Sequence, residues 1–555
     1  MLPRSEPGRS PDLSSHIALS KEARRFGAKT ARSIAEIQQS VNNMADVLVF
    51  LEVLGYDEGL VRKNGFDSMH QLASYVYSFV DVYDDKDKNA SAAIPVPSRR
   101  RLIAEGLSMI FPWLGALALL FLTGVSLWMA WGLPADVTSM FLGGVFLGLI
   151  ITEGLVQNFQ RLFSFYYSQT NIGEVKRSIK RHYALVGVVL FTAVAGIYFL
   201  ASQAGISFEL ATVAAVSAVT VGLHRLSFVI MYVLKKLLHL TLSYAGALGA
   251  LGLVFFFLSP AVPDMTTRYL AALGTAFALL SGFAVYHHYK MISQSSTSIV
   301  AKGAPHFYSP LTVNDNTIAS RFGVQLWECT PYFVYGTAYF VILFGDRIIS
   351  WIFNPIATAT AGGIILPISF NSVYHIGADL ALIVMLPAIA IQYVMAAPIY
   401  TLVHNRAINL KVSEKHKLDR FLRRSYARVF FASMVASTSV AIVVNFFAPQ
   451  VMNLLGGTEA STQILLFASA GAVLLSAFGA NGLYLTFLGR LKELAIIAMA
   501  SATVVIVGGI FAAGFGFENI VYAYVAGAAF AALLSSGVMM RTLGNASSWL
   551  FSRYV

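Results

Sequence analysis

Twelve times between Leu107 and Met540 the chain runs on with scarcely a charge for about 20 residues, the length an α-helix needs to cross a bilayer core of ~30 Å. Inside hydrocarbon every backbone N–H and C=O must be met within the protein, so such runs are helices packed on helices. The predicted spans are 107–132, 138–160, 182–202, 208–233, 238–258, 268–289, 326–350, 376–403, 428–448, 462–488, 493–514 and 519–540. Composition agrees: 57% of residues are hydrophobic and 12% charged, where soluble domains carry about 25% charged residues.

The loops set the orientation. Arg99 to Arg101 precede the first span, and Arg161, Lys176, Arg177, Lys180 and Arg181 lie between the second and third. Lys235 and Lys236 follow the fourth, Lys290, Lys302 and Arg321 the sixth, and Arg406 to Arg428 the eighth. Arg490 and Lys492 come between spans 10 and 11, and Arg541 and Arg553 close the chain. The intervening loops 133–137, 203–207, 449–461 and 515–518 have no basic residue; Arg268 and Arg347 are the exceptions on that side. This is the positive-inside pattern, and it predicts a multi-pass protein of the cytoplasmic membrane with both termini cytoplasmic. The net charge of +11 belongs to these loops, which argues against a nucleic-acid partner. No apolar stretch follows Arg4 and Arg9, so no cleavable signal peptide is expected and the first span directs insertion. A single cysteine, Cys329, permits neither an intrachain disulfide nor a thiolate metal site. Neither a GxxxxGK[ST] loop nor an HExxH motif occurs, so a built-in ATPase and the commonest membrane metalloprotease are excluded. The expectation is a protein that is not an enzyme and takes no cofactor or metal.

Residues 1–98 read as a cytoplasmic helical segment and linker. After a polar stretch to about Ala28, Ile34, Ile37, Val41, Met44, Leu48 and Leu51 recur at helical spacing, predicting a helix over 31–54 that Gly55 ends. A second helix is expected over 68–80 and a solvated linker over 81–98. The rest divides into a six-helix lobe at 99–290, an inter-lobe loop at 291–325 and a second six-helix lobe at 326–555, enclosing a central cavity. Phe111-Pro112-Trp113 in span 1 is echoed by Thr330-Pro331-Tyr332 in span 7, as a duplication would leave.

An ionisable residue inside a span costs about 2.5–3.5 kcal/mol on insertion scales and is a functional candidate for that reason. In the first lobe these are Glu153, His224 and Arg225, at similar depth, with Glu153 and Arg225 able to pair. In the second lobe Asp346 and Arg347 end span 7, and His375 and Asp379 share one face at i, i+4 near the start of span 8. Tyr335 and Tyr339 form part of an aromatic stripe on span 7 suited to stacking on sugar rings. Structural ion pairing and interfacial anchoring account for the same residues without a cargo. Asn445 and Asn481 are expected to bridge helices. Pro112, Pro331, Pro387 and Pro398 are candidate bending points.

Two stretches, TPYFVYGTAYFVILFGDRIISW (Thr330 to Trp351) and YHIGADLALIVMLPAIA (Tyr374 to Ala390), resemble the PelG-type exopolysaccharide exporters of the flippase superfamily that also contains the Wzx and MATE transporters. The resemblance implies a V-shaped bundle of two lobes and export of a polysaccharide or lipid-linked saccharide. It also implies a glycosyltransferase and other membrane subunits as partners. Two other readings keep the same spans: a cation-coupled multidrug exporter, or a scaffold that holds a polysaccharide synthase.

Overall fold

The computed structural model describes residues 20–37, 44–53, 56–87, 97–128, 132–168, 172–234, 236–293, 322–354, 369–399, 401–403 and 415–552. The first 19 residues, residues 88–96 of the linker expected over 81–98, and nearly all of the expected inter-lobe loop lie outside them; residues 81–87 of that linker are instead helical, as the end of the helix Met69–Asp87. The described residues fall into two compact units, one within Met1–Pro95 and one beginning at Val96.

The first unit is four helices: α1 (Lys21–Ile37), α2 (Met44–Val53), α3 (Glu58–Lys63) and α4 (Met69–Asp87). Helix covers Lys21–Ile37 and Met44–Val53, with 38–43 of the helix expected over 31–54 outside the described residues, and it begins at Lys21, inside the stretch read as polar. Of the periodic positions, Ile34 and Leu51 are buried and Leu48 is partly buried, whereas Met44 is exposed. Ile34 and Leu51 are buried with Val47, Val61, Phe66, Leu72 and Val76, and α4 packs on both α1 and α2. The Asp57 carboxylate accepts the Leu60 N–H and caps α3.

The second unit is all helical among the described residues, with twelve apolar helices long enough to cross a membrane. Span 1 is Arg99–Thr123, span 2 Ala135–Tyr167, span 3 Ile172–Gln203, span 4 Phe208–Val233, span 5 Leu237–Phe257 and span 6 Met265–Lys290. Span 7 is Thr330–Ile352, span 8 Ser372–Val403, span 9 His416–Phe446, span 10 Glu459–Phe487, span 11 Leu491–Ala513 and span 12 Phe517–Leu543. Each expected span is present. Span 1 lies about eight residues upstream of its predicted position because hydropathy ran on through Trp128. The helix stops instead at Gly124, in the left-handed region at φ 76°, and Trp128 folds back to stack on Trp113 at 5.4 Å.

The two lobes repeat one packing plan. In the first, span 1 packs on 5, 2 on 3 and 4, 3 on 4, 4 on 6, and 5 on 6; in the second, 7 packs on 11, 8 on 9 and 10, 9 on 10, 10 on 12, and 11 on 12. Adding six to each member of the first set gives the second. The Pro-aromatic echo is not the basis of this match: Pro112 sits deep inside its helix, whereas Pro331 is in the first turn of its own. Glycine lets equivalent pairs approach in both lobes. A Cβ on Gly148 of span 2 would lie 2.6 Å from the Ala218 carbonyl oxygen of span 4, and one on Gly377 of span 8 would collide with the Ser461 carbonyl of span 10.

Two seams join the lobes. Span 2 packs on span 7, from Gly143 beside Trp351 to Gly154 and Gly336, where a Cβ on Gly154 would meet Phe333 and Thr337. Span 1 packs on span 8 along Leu386–Ala396, with Gly106 against Val394 and Ala390, and the Tyr393 hydroxyl donates to Glu105 at 2.9 Å. No comparable contact joins span 1 to Ser372–Ala381, so this seam is closed only at the end where the basic loops lie. Between these parts span 8 tightens into a 3-10 turn at Leu382–Met385, ahead of Pro387, which has no N–H to continue the α-helical ladder.

The Gly148 contact makes a direct prediction. Gly148→Ala pushes a methyl against backbone and should cost about 1–3 kcal/mol by overpacking. Its thermal midpoint in detergent should fall, while Gly187→Ala, with nothing within 4 Å of the added Cβ, should leave it unchanged.

Candidate functional site

Charges gather on the enclosed helices. Of the apolar window of span 2, 78% is buried, against 17% for spans 3 and 9, whose sides face lipid. Arg347 of span 7 is 1% exposed and is the largest fully buried side chain among the described residues. Its Nε donates to Asp379 Oδ1 at 2.7 Å, its Nη1 to Asp346 Oδ1 at 3.0 Å and the Leu343 carbonyl at 2.8 Å, and its Nη2 to the Ala378 carbonyl at 2.7 Å. The planar fork of the guanidinium thus spans two helices. Asp346, fully buried, also accepts the Tyr374 hydroxyl at 2.8 Å. The i, i+4 pair forms as the spacing implied: His375 Nδ1 lies 2.8 Å from Asp379 Oδ2. The Trp351 Nε1–H donates to His375 Nε2 at 2.8 Å, and because an indole nitrogen can only donate, the imidazole proton sits on Nδ1 and points to Asp379.

An aromatic wall encloses this network. Phe146, from span 2 of the other lobe, stacks on Phe344 at 4.5 Å, Trp351 at 5.5 Å and His375 at 6.1 Å, with Phe370 at 4.6 Å from His375. Two carboxylates, one guanidinium and a neutral imidazole leave a formal charge of −1. Its outlet is Asp379, whose side chain is 44% exposed although its partners Arg347 and His375 are buried. A half-exposed carboxylate with an aromatic wall beside it is chemistry for a cation.

In the first lobe Glu153 and Arg225 pair in the fork geometry, Nε to Oε2 at 3.0 Å and Nη2 to Oε1 at 2.9 Å, and Gln157 donates to Glu153 at 2.8 Å. Arg225 approaches the Phe340 ring of span 7 at 6.0 Å. This cluster is neutral overall. His224, one residue earlier, points the other way: it is buried among Phe228 and Phe277 with Nε2 2.6 Å from the Tyr244 hydroxyl, and so belongs to the interior of its lobe. Tyr335 and Tyr339 face span 10, each near Phe478 at 6.2 and 6.5 Å. Asn481 does bridge helices, accepting from Tyr426 of span 9 and donating to Ser535 of span 12. Asn445 does not: its amide donates to Ala441 of its own helix.

Phe146, Gln157 and the Trp351–His375 bond were not anticipated. Phe146 is one apolar residue among many in span 2, and only its place opposite span 7 singles it out.

The two repeated lobes and their buried charges define a class by fold alone: a twelve-helix bundle similar to that of solved MATE transporter structures. No protein-family model and no curated protein matches the sequence. Solved structures do. One is the outward-facing conformation of a multidrug resistance MATE family transporter of the MOP superfamily, at TM-score 0.56 and 12% identity, covering 81% of this chain and 97% of that one. A second is a MOP superfamily transporter from Pyrococcus furiosus, in which reverse polarity of the binding pocket suggests a different function, at TM-score 0.57 and 13% identity, covering 81% and 96%. A third is the MATE transporter ClbM in complex with Rb+, at TM-score 0.53 and 12% identity, covering 82% and 99%.

Arg347→Leu leaves Asp346 and Asp379 without their counter-charge and should destabilise the fold by about 3–5 kcal/mol. Denaturation in detergent should show a large loss, of which Asp346→Asn added to Arg347→Leu returns part. An Arg347→Leu protein as stable as wild type would remove the network from its structural role.

Proposed function

We propose that the protein is a membrane transporter that exports a positively charged, amino-sugar-containing polysaccharide or its lipid-linked precursor. The observation that carries this reading is the half-exposed Asp379 carboxylate at the edge of a buried network with a formal charge of −1, next to His375, on which Phe146 and Trp351 stack. An ammonium group on a sugar meets the carboxylate while the ring face meets the aromatic wall. The neutral Glu153–Arg225 pair holds span 4 to span 2 beside the seam. Asp346 and Arg347 position Asp379, and Tyr335 and Tyr339 stiffen span 7 against span 10. The resemblance of Thr330–Trp351 and Tyr374–Ala390 to PelG-type exporters supports the same cargo.

In this reading the basic loops and both termini lie on the cytoplasmic side of the cytoplasmic membrane, and the cargo leaves at the opposite end. The Met1–Pro95 unit meets a cytoplasmic glycosyltransferase that feeds the polymer to the lobes. Deletion of residues 1–95 should uncouple export from synthesis and leave the lobes in the membrane.

A second reading is the export of small amphipathic cations in exchange for protons or sodium, and the multidrug MATE neighbour favours it. Asp379 suits both, so a deletion strain decides. Loss of surface polysaccharide with unchanged drug tolerance supports the first reading; drug sensitivity with intact polysaccharide supports the second.

Asp379→Asn removes a charge-assisted hydrogen bond worth about 1.5–3 kcal/mol, so export should fall about tenfold or more at unchanged membrane abundance. Wild-type export by this variant would sink the site.

A further inference from the structure

At the basic end, where spans 1, 8 and 9 meet, lies a cavity of about 660 Å³ unconnected with the Asp379 network. Its floor is apolar: Leu102 and Ile103 of span 1, Val394, Pro398 and Leu402 of span 8, and Phe421 of span 9 among others. Its rim is basic, with Arg99 at the start of span 1 and Lys417, Arg420, Arg424 and Arg428 on span 9. The last three recur every four residues and so stand one above another on one helix face. All five are exposed, and among the described residues no carboxylate pairs with Arg99, Arg420, Arg424 or Arg428. The acidic groups nearby are engaged elsewhere: Glu105 with Arg101 and Tyr393, and Asp419 with the Ser547 N–H.

We infer that this cavity binds the anionic headgroup of a phospholipid from the leaflet at the basic end, with its acyl chains on the apolar floor. The arrangement matches the two parts of such a molecule. Unpaired arginines fit a phosphodiester bidentately, and the apolar wall below them continues into the bilayer. The zwitterionic headgroup of phosphatidylcholine brings its own cation, has no net charge, and gains little from the same rim. The site also has a position in the fold that matters. Span 1 belongs to one lobe and spans 8 and 9 to the other, so a lipid seated here bridges the closed part of the seam and favours the state in which Tyr393 meets Glu105.

Native mass spectrometry of the full-length protein, titrated in detergent with phosphatidylglycerol, phosphatidylcholine or inorganic phosphate, tests this. Wild-type protein should retain phosphatidylglycerol in preference to phosphatidylcholine, with phosphate failing to displace it. Arg420→Gln/Arg424→Gln/Arg428→Gln should weaken that retention about tenfold or more and leave phosphatidylcholine binding unchanged. Arg99→Gln, a single exposed change, should act in the same direction by a smaller factor, so the result stands even if the triple variant is poorly folded. Lys176→Gln/Lys180→Gln, on span 3, should have no effect. Equal retention of the two lipids, undiminished phosphatidylglycerol binding in both arginine variants, or displacement by phosphate alone would overturn the inference. The last would mark a site for the free anion.

Discussion

A guanidinium 1% exposed inside a bundle of apolar helices must have its charge met by the protein itself, because the solvent around the bundle cannot do it. Arg347 is met by Asp379 and Asp346 and by two backbone carbonyls, and these partners sit on spans 7 and 8. The network therefore ties the first two helices of the second lobe together near their non-basic ends. It also fixes the direction of everything attached to it: Tyr374 toward Asp346, His375 toward both Asp379 and Trp351, and Trp351 toward Phe146 of the other lobe. Structure and candidate binding chemistry are one arrangement here. The network that holds the helices also carries one more carboxylate than guanidinium, and its exposed edge is the Asp379 side chain.

The repeated plan of the lobes gives that carboxylate a setting. Span 2 lies against span 7 over most of their length, whereas span 1 meets span 8 only through Leu386–Ala396. One seam is thus a long contact and the other is shut at one end. Opening the basic end would break the Tyr393–Glu105 bond and part Gly106 from Val394, a modest set of contacts beside those within each lobe. The 3-10 turn at Leu382–Met385 and Pro387 put a weak point in span 8 between the closed part and Asp379. A rocking motion of the lobes needs these two features, a sparse seam and a place to bend.

Much of this was legible in the residues. Apolar length and loop charge located all twelve spans, because the bilayer imposes both. Pro387 marked the irregular turn of span 8, and the i, i+4 spacing of His375 and Asp379 announced their contact. Arg347 and Arg268 broke the charge alternation, and the structure explains each: Arg347 is the centre of the buried network, while Arg268 bonds to Ser259 and lies over the Phe255 ring at 4.4 Å. What the residues did not reveal depends on which helix lies beside which. Phe146 has no local mark distinguishing it from its neighbours, and His224 looked equivalent to Arg225 although one residue of helix turns it into the core. Span 1 was misplaced because hydropathy cannot see the left-handed turn at Gly124.

The proposed transport requires the two lobes to move as bodies about the span 1–span 8 seam. Spin labels on Phe121 and Ser372, both exposed at the non-basic ends of spans 1 and 8, report on it by double electron–electron resonance in a Cys329→Ser background. The account predicts two distance populations whose balance shifts when Asp379→Asn is introduced, while a label pair within the first lobe keeps one distance. A single narrow distance across the seam, the same with and without the Asp379 charge, would contradict it.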